Sequence, residues 1–412
     1  MKFPKMIPAF ADLTQDIAGP LPLDLVKGWV EGTQDEAAAE ARLGRFAIEG
    51  TVVSTDTSGL SRMTQERDLL DVLSMVSGPK EIVHALGTDI GGRAVGTWVA
   101  DNTQMFYPST VPFDVVIGAM LEAQARIAAT LEVRIGMCAH HGRFFDIGSG
   151  LYGADADLVE YVAEQFAAPG EVLVTREVAD TLARDAAFTL EPRESLSVVH
   201  APGVFTVTSG RSWAHLPAAN PDYPHGFTDE VFQALRDVRG ARADDARTRV
   251  YRSVEDRIIV FAARERTRAP ETSAADLLDI FVRDLALDAI VRHVPDAAEH
   301  VASLGGGIAI LSFDNGDRAL KVATAMRDQG VEMGLPLKVG MDAGPVLTVG
   351  RLRGPSGISG DAVNLASKLS EDLGLENTVS ATTRAAARLS VPAWATPFTE
   401  RVSRIELTGV RF

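Results

Sequence analysis

Four polar residues, two in each half of this 412-residue chain, stand where phosphoryl chemistry would need them. Asp56 and Asp101 fall in two strand-like segments, "VVSTDTSGLSRMT" from Val52 and "VADNTQMFY" from Val99. Asn364 and Lys368 fall in "SGDAVNLASKLSED" from Ser359, a helix-like run that sets them one turn apart on the same face. Each half lacks what the other has. A divalent metal held by one half and polar groups supplied by the other would equip a domain interface for phosphoryl chemistry on a nucleotide. Taken singly, these residues have plainer readings. A strand-end aspartate is usually a turn or cap residue, Asp101-Asn102 suits a hairpin turn, and Asn364 with Lys368 suits a solvated helix face.

Composition fits the chemical reading. The length predicts two or three domains, each large enough for its own core. An apolar content of 46% and a charged content of 23% are ordinary for a folded protein. Forty basic against 56 acidic residues leave a net charge of −16, which argues against a nucleic-acid binder that works by phosphate neutralisation. A triphosphate held through metal needs no basic surface. Cys138 is the only cysteine, so neither an intrachain disulfide nor a Cys-rich zinc site can form, and a reducing cytoplasm is expected. The start, "MKFPKMIPAFADLTQD", has no signal-like apolar run, and no later stretch approaches a membrane span. His140-His141 has no further ligand at a recognisable metal spacing, so a loop or sheet-edge role is expected for the pair.

The chain repeats itself. A helix-like segment from Leu21 precedes a charged connector and the strand Gly50 to Thr55, and one from Phe227 precedes another connector and "DRIIVFAARER" from Asp256. Laying Asp56 on Ala263 sets an offset of 207, and laying "LEVRIGMCAHHG" from Leu131 on "LPLKVGMDAGP" from Leu335 sets one of 204. A near-constant offset over so long a span points to duplication of a whole domain. "WAHLPAANPDYPHG" from Trp213 reads as a linker. The expected organisation is an N-terminal helical segment over 1–42, domains over 43–212 and 249–412, and a helix-bearing linker over 213–248. Within each copy helices alternate with strands and hairpins, the pattern of an α+β domain with helices covering a sheet.

On these motifs both copies resemble class III nucleotidyl cyclase domains, the adenylate and guanylate cyclase superfamily, across roughly 45–210 and 250–412. "STDTSGLSRMT" resembles the family's strand and loop in which an aspartate precedes a Ser-Gly turn. "ADN" from Ala100 resembles a bacterial variant of the second metal-aspartate hairpin. "GDAVNLASKLSED" resembles the family's helix with Asn and a basic residue four positions later, and "APGEVLVT" and "NTVSATT" resemble the strand after it. The resemblance implies two ferredoxin-like cyclase domains paired as an intramolecular pseudo-heterodimer.

It also implies roles. Asp56 and Asp101 would hold two divalent cations, Mg2+ or Mn2+, and main-chain N–H groups of Thr57, Ser58, Gly59 and Leu60 would cradle phosphate oxygens, Gly59 allowing close approach. Asn364 would orient the ribose. Lys368, where arginine is commoner in the wider family, would stabilise charge on the phosphoryl group without arginine's fork. The second potential site lacks this equipment: Asp56 corresponds to Ala263, Asp101 to about Gly306, Asn364 to Asp157 and Lys368 to Tyr161. The family's base-reading positions fall on Ala302 and Gly357, with Ser356 and Ser359 nearby, and its C-terminal phosphate lysine falls on Thr408.

Two functions follow. One is an enzyme that makes a 3′,5′-cyclic nucleotide and pyrophosphate from a nucleoside triphosphate, ATP favoured. The other is an inactive relative that binds nucleotide or a partner without turnover. Intact Asp56 and Asp101 favour the first, and the missing base-reading residues favour the second. "LGGGIAIL" superficially resembles diguanylate cyclase hairpins but lacks their acidic residues.

Overall fold

The computed structural model describes residues 22–412 except for 58, 61–62, 64–65, 97, 99–101, 149, 194–202, 214–222, 240–244, 247–253, 265–272, 349–357 and 403–404. Two mixed sheets form the frame. The first holds β1 (Ala47–Thr57), β2 (Arg93–Ala94), β3 (Thr103–Pro108), β4 (Ile135–Ile147), β5 (Gly150–Tyr152), β6 (Val172–Thr175), β7 (Thr189–Pro192) and β8 (Val204–Ser209). Its order is β2-β3-β1-β4-β6-β8-β7, with β5 paired to β4. The second holds β9 (Val254–Arg264), β10 (Val301–Gly305), β11 (Ile308–Phe313), β12 (Leu337–Thr348), β13 (Ile358–Ser359), β14 (Thr378–Thr382), β15 (Thr396–Val402) and β16 (Ile405–Arg411), in the order β10-β11-β9-β12-β14-β16-β15 with β13 paired to β12. Each order becomes the other when every strand is moved on by eight. Among the described strands, the parallel pairs β4 with β6 and β12 with β14 occupy the same place in the two sheets. The α+β expectation of two like domains in tandem holds.

Among the described residues the helices include α1 (Leu23–Glu31), α2 (Glu36–Leu43), α3 (Leu69–Asp89), α4 (Phe113–Thr130), α5 (Ala154–Phe166), α6 (Arg176–Leu182), α7 (Asp229–Val238), α8 (Ala274–His293), α9 (Gly316–Glu332), α10 (Asp361–Glu371) and α11 (Thr383–Ala386). Side-chain oxygens of Asp35, Asp68, Thr228, Ser273 and Asn315 accept N–H groups of the first turns of α2, α3, α7, α8 and α9, satisfying donors that helix geometry leaves open. β1 and β9 lie in the middle of their sheets and are buried on both faces over Val52–Thr55 and Ile258–Ala263, which their β-branched and small residues permit.

One sequence-based register is corrected. β1 sets Thr57 against Ile135, and β9 sets Arg264 against Leu337, so β4 and β12 correspond at an offset of 202 rather than 204. A two-residue slip leaves every side chain on its original face, so hydrophobic alternation cannot reveal it. The shared Gly-Met at 136 and 340 drew the sequences into the wrong frame. The expectation for His140 and His141 is corrected too. Both lie buried inside β4, a central strand, not in a loop or at a sheet edge. His140 Nδ1 bonds Thr175 Oγ1 at 2.9 Å, with Asp155 Oδ1 3.2 Å from Nε2, and His141 Nδ1 lies 3.2 Å from Thr51 Oγ1.

The N-terminal helices fasten the halves together. Leu25, Val26 and Trp29 of α1, with Ala39 and Leu43 of α2, share one apolar cluster with Phe145 and Ile147 of β4 and with Leu277, Leu278 and Phe281 of α8. Trp29 Nε1 donates to Asp279 Oδ1 at 2.8 Å, and Glu36 accepts the N–H groups of Ala274 and Ala275. Tyr152 meets Phe281 edge to face with centroids 5.0 Å apart. Among the described residues, no helix is long and apolar enough to cross a membrane.

Candidate functional site

Asp56 is the next-to-last residue of β1, partly exposed, at the end of a run of buried residues. The central strand therefore delivers its carboxylate to the rim of the sheet, cross-strand from Gly136. Thr57 closes the strand opposite Ile135. Gly59 follows with φ +79°, a conformation that favours glycine, and its carbonyl accepts the N–H of Met63. Gly59 and Leu60 thus open a helical turn, whose leading N–H groups lack intrahelical partners and carry the positive end of the peptide dipoles. Ser58 and Asp101 lie outside the described residues. Asn102, beside Asp101, donates from Nδ2 to Glu160 Oε1 at 3.4 Å, and β3 starts at Thr103, whose hydroxyl bonds that of Thr55 at 2.7 Å.

The second cluster stands on α10. Gly360 precedes the helix with φ +154°, and a Cβ there would come 2.6 Å from Pro345 O. Gly360→Ala should therefore lower stability by about 1–3 kcal/mol, seen as an earlier urea midpoint. An unchanged midpoint would show that this turn can give way. Ala362, Leu365, Ala366, Leu369 and Ser370 bury one face of α10, and Gly340 admits the helix closely, since a Cβ there would meet Ala366 O at 2.0 Å. That leaves Asn364 and Lys368 together on the half-exposed face. Lys368 Nζ lies 3.9 Å from Asp372 Oδ2. Asn364 Nδ2 is buried and has no hydrogen-bond partner among the described residues. Such a donor carries a desolvation cost that a bound acceptor would remove.

Beneath α10 runs a polar network that sequence reasoning missed. Arg384 Nε donates to Asp342 Oδ1 at 2.8 Å, and its Nη2 reaches Asp342 Oδ2 and donates to Asp361 Oδ2 at 2.6 Å. Thr382 Oγ1 also donates to Asp342. A lone aspartate inside the apolar run around "VGMDAG" was the available signal, since a charge buried in a strand requires a partner.

The remaining positions are less equipped. Ala302, on β10, packs against the apolar cluster of Ile259, Phe261 and Ala263 and offers no polar side chain. Ser356 and Gly357 lie outside the described residues. Thr408 bonds Thr383. At the second potential site Ala263 is buried, and the next residue, Arg264, is buried and paired with Asp284. Asp157 and Tyr161 occupy α5, the counterpart of α10.

The two clusters sit in different sheets, and α10 packs in apolar clusters of its own, so the link between them runs through Leu347. Val53, three residues before Asp56, and Trp98, three before Asp101, share a cluster with Leu347 of the second half. Leu347 pairs with Ser359, which leads into Gly360 and α10. Among the described residues, no group of three or more His, Cys, Asp or Glu forms a metal site. The donors proposed for a cation are carboxylate oxygens, without thiolate or imidazole, and their chemistry fits Mg2+ or Mn2+.

No protein-family profile and no curated protein matches the sequence. Solved structures do. The adenylyl cyclase CyaB of Pseudomonas aeruginosa is 12% identical, the match covering 40% of this chain and 96% of that one, with a TM-score of 0.35. The guanylyl cyclase Cya2 is also 12% identical, over 42% and 98%, with a TM-score of 0.34. A class III adenylyl cyclase-like ATP-binding protein from Pseudomonas aeruginosa spans 84% of this chain and 85% of its own at 12% identity, TM-score 0.49. The two halves of this chain share one strand order, and the solved structures similar to it are class III cyclases and a cyclase-like protein. The halves differ in their polar equipment, the first carrying Asp56 and the second Asn364 and Lys368.

Proposed function

We propose that the tandem cyclase-like domains form one nucleoside triphosphate site, at which the chain makes a 3′,5′-cyclic nucleotide and pyrophosphate. The observation that carries this reading is the orphaned, buried Asn364 Nδ2, set one helical turn from Lys368 on a helix whose supporting strand shares its apolar cluster with the Asp56 strand. Asp56 and Asp101 would hold the divalent cations, which supply charge neutralisation and lower the pKa of a coordinated hydroxyl when bound. The turn at Gly59 and Leu60 offers N–H groups to phosphate oxygens. Asn364 fixes the sugar through its free amide N–H, and Lys368 balances charge on the phosphoryl group. The 3′-hydroxyl oxygen forms the new bond to the α-phosphorus as the bond to pyrophosphate breaks, and the hydroxyl proton leaves to solvent.

Purified protein incubated separately with ATP, GTP, CTP and UTP, with Mg2+ or Mn2+, tests the reading by mass spectrometry. Product from ATP is expected, and Asn364→Ala should cut its formation by about 100-fold. Product formed equally well by Asn364→Ala would remove that residue from the site. A second reading, nucleotide binding without turnover, draws on the apolar setting of Ala302, which gives a base edge no side-chain partner. Metal-dependent binding without product across all four triphosphates would favour it.

A further inference from the structure

Asp342 is fully buried, at 0% exposure, in the middle of β12. An isolated carboxylate there would be costly, and the Arg384 fork with the Thr382 hydroxyl offsets that cost. Two bonds of the guanidinium, with that of the Thr382 hydroxyl, account for Asp342. The third bond of the same guanidinium, from Nη2 to Asp361 Oδ2 at 2.6 Å, contributes nothing to Asp342 and instead ties the first residue of α10 to the core of the sheet. Asp361 stands three residues before Asn364, within the turn that Gly360 O closes by accepting the N–H groups of Val363 and Asn364.

The first half provides the control. Thr175 there stands where Thr382 does, each preceding a short helix, and Gly153 stands where Gly360 does. His140 occupies the place of Asp342, bonded to Thr175 as Asp342 is to Thr382. Glu177 occupies the place of Arg384, and Ala154 that of Asp361. His140 Nε2 does lie 3.2 Å from Asp155 Oδ1 in the first turn of α5, but with Glu177 in place of Arg384 no arginine fork ties strand to helix start there. The arginine-centred bridge belongs to the helix that bears Asn364 and Lys368, whereas α5 meets its strand through His140 and Asp155.

We infer that Arg384 is a positioning residue for the nucleotide site: anchored on Asp342, it fixes the first turn of α10 through Asp361 so that Asn364 and Lys368 meet the substrate in register. Apolar packing holds the helix against the sheet, but side-chain contacts of Ala362 and Ala366 tolerate small rotations and slides. A guanidinium fork bonded on both sides does not, and reacting groups lose rate steeply when displaced by a fraction of an ångström. This inference rests on the function proposed above.

Asp361→Asn tests it without stripping the buried carboxylate of its partner, since the Asp342–Arg384 pair stays intact. The turnover number should fall about tenfold with KM for ATP changed less than about twofold, and Asp361→Glu should restore most of the rate. Arg384→Lys, which cannot fork, should lie between wild type and Asp361→Asn. A merely structural role would lower the active fraction without this split. Amide exchange supplies a readout that needs no activity. Residues 361–365 should exchange about tenfold faster in Asp361→Asn, while β12 and β14 keep their protection. Wild-type turnover and wild-type exchange in Asp361→Asn would overturn the inference while leaving the cyclase reading intact. A wild-type protein without turnover would count against the cyclase reading alone, and exchange over residues 361–365 would still decide the positioning role.

Discussion

Asp56→Asn should leave a folded protein that makes at least about 100-fold less cyclic product than the wild type. Asparagine matches aspartate in shape, and Asp56 is only half-buried at the end of β1, so the strand, its ladder to β4 and the apolar cluster around Val53 persist. What disappears is a full negative charge and one of two hard oxygen donors, the properties a divalent cation requires. The thermal midpoint should therefore stay within a few degrees while product formation collapses. Mn2+ affinity, read by electron paramagnetic resonance with ATP present, should fall in step. Undiminished product with undiminished Mn2+ binding would move the metal site away from β1. Loss of product with a matching loss of folded protein would instead make Asp56 a structural residue.

The second large effect concerns stability and has a definite pH sign. Asp288 is buried on α8. Burial, reinforced by the nearby Asp284 carboxylate and only partly opposed by Arg292, pushes its pKa up to about 7. The unfolded chain releases that proton near pH 4, so between about pH 4 and 7 the folded state binds more protons than the unfolded one, and stability falls as pH rises through this window. Above it the ionised carboxylate costs up to roughly 4 kcal/mol. Asp288→Asn removes the charge and keeps the shape. Its urea midpoint should exceed that of the wild type at pH 8, and the difference should shrink steadily toward pH 5. A difference independent of pH would mean that packing, not ionisation, separates the two proteins.

The elements that carry the candidate residues were legible because local chemistry and global placement agree there. β1 announces itself as a β-branched run ending in a charge and a glycine turn, and α10 shows apolar residues at helical spacing between Gly360 and Glu371. The duplication was legible in order and spacing. Its register in β4 and β12 was not, because a shift by two preserves alternation and only hydrogen-bond pairing distinguishes the frames. The Asp342–Arg384–Asp361 bridge joins residues 42 and 23 positions apart on three elements, and no short-range pattern records such a meeting. His140 and His141 misled for a related reason. A polar pair in a strand reads as an edge until neighbouring hydroxyls, Thr175 and Thr51, are found to satisfy it.

The fastening of both halves by α1 and α2 bears on how this molecule responds to dilution. Trp29 and Glu36 grip α8, while Leu43 and its neighbours pack on β4, so the halves are held by non-covalent contacts as well as by the chain between them. Two separate subunits that share a site come apart as their concentration falls below the dissociation constant. Here the partner's local concentration is fixed at about the millimolar level by the tether and does not depend on how many copies a cell contains. Under the proposed function, the rate per molecule would then be the same in a cell holding a handful of copies as in one holding thousands.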